Sequence, residues 1–107
     1  MLMTTTMSFE GRKIKRYCGI VTGDAIVGAT AFKDSFNITG GTVGGKDATY
    51  QNELKKAREI ALKDLNENAI GVGASALISV KLDYQSLGGM LMVYATGTAV
   101  LMEGELH

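Results

Sequence analysis

The sequence predicts a two-layer α+β domain, β-α-β-β, in which one long helix covers a sheet of strand order 1-3-2. Three observations carry this. A stripe of apolar residues with helical spacing runs through the middle of the chain, a Gly88-Gly89 pair separates two strand-like runs after it, and the final run from Met90 to Met102 contains no charged residue. A strand that is apolar on both faces belongs in the centre of its sheet, covered on both sides, and this places the last strand between the first and the second.

The first strand is read over residues 12–27, with a shorter one over the β-branched threonines of residues 2–6. In a period-2 reading Ile14, Cys18 and Ile20 share one face and Tyr17 and Val21 the other. Gly19 and Gly23 mark a bulge or a close backbone approach, and the strand is read as broken or bent near Thr22-Gly23-Asp24, resuming through Ala25-Ile26-Val27. Residues 29–37 read as a short helix or a turn that buries Phe32 and Phe36, and Gly40 to Gly45 reads as a loop.

The long helix starts at Asp47 or Thr49, either of which can cap free backbone N–H groups, and runs to about Ala69. Tyr50, Leu54, Ala57, Ala61 and Leu65 form its stripe, widened by Ile60 and Leu62, with Glu59 and Lys63 as an i,i+4 ion pair. Gly71 and Gly73 end it, since glycine takes the left-handed C′ conformation without penalty. In the next strand Ala76, Ile78, Val80, Leu82 and Tyr84 alternate with polar residues, and Leu77 is the one apolar exception. The last strand carries Leu91, Val93, Ala95, Gly97, Ala99 and Leu101 on one face, small enough at its centre for a helix bearing Ala57 and Ala61 to come close. Its other face, with Met90, Met92, Tyr94 and Thr96, needs a different cover. In so short a chain that cover is a second copy, or else the N-terminal segment.

The bulk properties narrow the function classes. The chain has 107 residues, enough for a single domain over 1–107 that buries roughly 65% of its unfolded surface. Eleven basic residues balance eleven acidic ones, which removes the long-range attraction that nucleic acid or an anionic membrane would require. One cysteine, Cys18, allows no intrachain disulfide and points to a reducing compartment, read as the cytoplasm. No apolar run approaches the roughly 20 residues of a membrane span, and the N-terminus has no signal-peptide pattern.

Several motifs in order carry a family resemblance. They include Glu10-Gly11-Arg12-Lys13-Ile14, Gly19-Ile20-Val21-Thr22-Gly23-Asp24-Ala25, Phe32-Lys33-Asp34, Val43-Gly44-Gly45 and Tyr50-Gln51-Asn52-Glu53-Leu54-Lys55-Lys56-Ala57. Gly73-Ala74-Ser75-Ala76, Leu82-Asp83-Tyr84, Met90-Leu91-Met92-Val93 and Gly97-Thr98-Ala99-Val100 complete the set. The chain resembles the YbjQ family of small bacterial and archaeal proteins over nearly its whole length, the ending Glu103 to His107 excepted. The resemblance implies a dodecin-subunit-like fold with an antiparallel sheet of order 1-3-2, assembly into a ring-shaped homopentamer, and a heavy-metal ion as the bound species, with no ligand residues carried over from it.

The residues offer little for chemistry. Soft-metal sites need several Cys or His ligands, and this chain has Cys18 and a terminal His107. A ring could multiply one ligand per subunit about its axis, and Asp24, Asp34 and Asp83 could hold a hard cation through oxygen; Cys18, Asp24 and Asp34 are kept as the metal candidates. Gly40 to Asp47 matches a phosphate-binding loop except that Asp47 replaces the Mg²⁺-ligating hydroxyl. Gly41, Gly44, Gly45 and Lys46 remain an anion-loop candidate. Nucleophilic catalysis lacks a placed histidine. The sequence therefore reads as a homo-oligomeric module that binds a small ligand or ion without catalysing a reaction. A metal-handling protein is the alternative, and an enzyme with an inter-subunit site the second alternative.

Overall fold

The computed structural model describes residues 1–27 and 48–104. The strands are β1, Leu2–Met3, β2, Ile14–Val27, β3, Ala76–Leu87, and β4, Met90–Met102, with the helix α1, Ala48–Gly71, between β2 and β3. They form one sheet of order β1-β3-β4-β2. The three long strands are antiparallel, with charge-free β4 at their centre, as its apolar character requires. Two-residue β1 adds in parallel outside β3, so the sheet is mixed rather than purely antiparallel. The helix reading over residues 29–37, the glycine loop and the Asp47 cap lie outside the described residues.

The helix presents Ala57, Ala61, Leu65 and Ala69, all buried, at four-residue intervals. They pack with Val21, Ala25, Val93, Ala95 and Ala99 from β2 and β4. Small side chains bring the helix backbone down onto the sheet, and Gly23 is where it touches. A Cβ there would fall 2.8 Å from Leu65 Cα and closer still to the Leu65 nitrogen and the Ala61 carbonyl. The expected approach over Gly97 is displaced to Gly23, because Gly97 instead faces Val80 Cγ2, Leu77 Cδ2 and the Ile78 carbonyl of β3. Strand β2 is continuous through Thr22-Gly23-Asp24 without the expected break.

The helix ends in a Schellman motif. Ala74 N–H bonds the Ala69 carbonyl at 3.1 Å and Gly73 N–H the Ile70 carbonyl at 3.0 Å, with Gly73 at φ +83°. The Arg16 Nη2 lies 3.5 Å from where a Gly73 Cβ would sit, which places a cation at the negative end of the helix dipole. The ion pair on the helix surface joins Lys56 to Glu53 at 3.8 Å, rather than Glu59 to Lys63. Gly88 and Gly89, at φ +59° and +80°, close a two-residue β3–β4 hairpin of the kind that needs two positive φ values.

Bulges overturn two of the face assignments. The β2–β4 register shifts between Ile14 and Arg16 and again between Tyr17 and Gly19. Cys18 therefore packs partly buried against the helix-side core, while Ile20 lies on the opposite face, 83% exposed. In β3 the register shifts between Ile78 and Lys81, with Ser79 at φ +53°. The extra residue flips the alternation. Ala76 and Ile78 join a second cluster with Val100 and Met102, whereas Leu77 and Val80 belong to the helix-side core. Leu77, the exception in a strict alternation, is fully buried.

Candidate functional site

The sheet face opposite the helix leaves large apolar side chains of β2 exposed. Its β2 row is Ile20, Thr22, Asp24 and Ile26, set beside Thr98, Thr96, Tyr94 and Met92 of β4. On the far side of β4 lie Lys81, Asp83 and Gln85 of β3, beside Thr96, Tyr94 and Met92. Ile20 and Ile26 are 83% and 59% exposed, and Met92 and Tyr94 are half-buried. Tyr94 is held by its hydroxyl, which donates to Met92 Sδ at 3.2 Å. One end of this face is closed: Phe9 and Ile14 pack over Ala76, Ile78, Val100 and Met102. The N-terminal segment thus covers part of the face, and the stretch from Ile20 to Ile26 has no such cover among the described residues. Chemically it offers hydroxyls, a thioether and isolated charges.

A second feature lies along the outer edge of β2. A shallow groove of about 290 Å³ is lined by Asp24, Ile60, Lys63, Asp64 and Glu67. Its floor is fixed by two hydrogen bonds from helix to strand. The Asp24 N–H donates to Asp64 Oδ2 at 3.1 Å, and Asn68 Nδ2 donates to the Thr22 carbonyl at 2.7 Å. Sequence reasoning passed over Asp64 and Asn68. They are two polar residues four apart at the margin of the Ala61–Leu65 stripe, on the side where Gly23 admits the helix. Another groove, of about 430 Å³, is lined by Gln51, Asn52, Leu54, Lys55 and Arg58 on the first half of the helix.

The structure does not bring the sequence candidates together. Cys18 is partly buried against the helix-side core, and Asp24 sits six residues on along the same strand at the exposed edge, roughly 20 Å away at ~3.3 Å per residue. Asp34, the anion-loop residues Gly41, Gly44, Gly45 and Lys46, and His107 lie outside the described residues. Among the described residues no three His, Cys, Asp or Glu side chains are grouped so as to hold a metal ion. No helix among them is long and apolar enough to cross a membrane.

Comparison with known proteins agrees with this architecture. The YbjQ family model, described as putative heavy-metal-binding, matches residues 1–103. Among solved structures, a protein with unknown function of the DUF74 family from Pediococcus pentosaceus ATCC 25745 is similar, with a TM-score of 0.58 at 18% identity. The match covers 96% of this chain and 98% of that one, and at this identity it speaks to the fold.

Proposed function

The chain belongs to the YbjQ family, and from that premise and its surface we propose that it is the subunit of a ring-shaped homopentamer that binds a small ligand or ion between subunits and catalyses no reaction. The observation that carries this reading is the open sheet face. Ile20 and Ile26 are 83% and 59% exposed on it, Ile20 beside Thr98 and Ile26 beside Met92, two large apolar side chains on one sheet face that a partner would bury. Burying it against another copy supplies the missing second layer for β4. The formal neutrality of the chain favours close self-association and gives no electrostatic draw toward nucleic acid or membrane. The lone cysteine fits a cytoplasmic setting.

Heavy-metal binding is the second reading, and the family's description is what favours it. With Cys18 and Asp24 far apart in one subunit, an ion would draw its ligands from several copies around the ring axis. Elemental analysis of protein purified without chelator tests this together with native mass spectrometry. A stoichiometric metal on the assembled species supports the metal reading. An assembled species without metal, and without a thermal shift on adding zinc, copper or nickel, leaves the assembly reading alone. A monomer refutes the ring.

A further inference from the structure

Among the described residues, strand β2 is the outermost strand on its side of the sheet. An outer strand presents unpaired N–H and C=O groups that can template a second chain, and proteins block this with bulges, lysines or covering elements. Along β2 these devices follow one another. At its start stand the exposed cations Lys13, Lys15 and Arg16 and the two register shifts. In its middle, the helix takes over. Asp64 and Asn68 are one turn apart, about 6 Å along the helix axis, and reach backbone groups on Asp24 and Thr22, about 6.6 Å apart along the strand. This near-match of rise lets one helical turn satisfy two outward-facing groups, an acceptor meeting the N–H and a donor meeting the C=O.

We propose that Asp64 and Asn68 form an edge guard, an autoinhibitory contact that closes β2 to strand addition by a second copy of this chain. The guard is held in place by Gly23, which lets the helix lie close enough for two short side chains to bridge the gap. The guard directs self-association away from this edge, and it holds whether or not the protein forms a ring, because each variant below is compared with the wild type in its own assembly state.

The test is the double variant Asp64→Ala/Asn68→Ala beside the conservative Asp64→Asn, which keeps an acceptor at the same length. Both are followed by light scattering after size exclusion and by thioflavin-T fluorescence. The double variant is expected to form open-ended species with roughly tenfold higher thioflavin-T signal, since the freed edge is a template, while Asp64→Asn keeps the wild-type mass. A double variant with wild-type mass and baseline fluorescence overturns the guard, as does Asp64→Asn behaving like the double variant. Should the double variant lose its fold, amide exchange in the wild type decides. The guard requires a protected Asp24 amide, and exchange at the rate of a free edge amide overturns it.

Discussion

Replacing Gly23 by alanine probes the contact on which the layered packing depends. The new Cβ would meet backbone, not a yielding side chain: Leu65 Cα at 2.8 Å, with the Leu65 nitrogen and the Ala61 carbonyl nearer still. Helix and strand must separate by about 1 Å to restore ordinary contact, and overpacking of this kind costs ~1–3 kcal/mol. The same separation stretches the Asp64–Asp24 and Asn68–Thr22 hydrogen bonds, each worth about 1 kcal/mol. The sum is about 3–5 kcal/mol, a large share of the ~5–15 kcal/mol that holds a domain of this size together. At ~4 °C per kcal/mol, Gly23→Ala is expected to lower Tm by ~12–20 °C. Far-UV circular dichroism melts and urea titration read it directly. A variant that melts within ~2 °C of the wild type would show that the helix does not bear on Gly23, and the packing described above would be wrong.

Other substitutions separate the remaining parts of the account. Gly71→Ala, at a helical position with open space and no positive φ, is expected to stabilise by ~0.5–1 kcal/mol in the same urea titration, opposite in sign to Gly23→Ala. Leu77→Ala is expected to cost ~2–5 kcal/mol, because the bulge at Ser79 turns Leu77 into the core. A loss below ~0.5 kcal/mol would restore the simple alternation in which Leu77 faces solvent. Ile20→Asp or Ile26→Asp, on the open sheet face, is expected to leave the subunit folded by circular dichroism while dissociating the assembly in light scattering.

Much of this fold is legible from local rules. The Ala57–Ala61–Leu65 stripe located the helix and its buried side, Gly73 its end, and Gly88-Gly89 the hairpin. The absence of charge from Met90 to Met102 placed β4 at the centre of the three long strands. Side-chain facing in β2 and β3 was less legible, because period-2 alternation holds only while residues pair one to one. The extra residues near Lys15, Cys18 and Ser79 each reset the period, and Ser79 carries no glycine to announce its positive φ. Gly19 and Gly23 did signal a bulge and a close approach, and the structure assigns the first role to Gly19 and the second to Gly23. The site was the least legible part. Asp64 and Asn68 act on backbone groups 40 and 46 residues earlier in the chain, and no local pattern encodes that meeting.

The central claim is that the open face around Ile20, Ile26 and Met92 is where copies of this chain meet. Native mass spectrometry at micromolar concentration tests it most directly. A single species at five times the 11.3 kDa subunit mass is expected. A species at 11.3 kDa alone would contradict it.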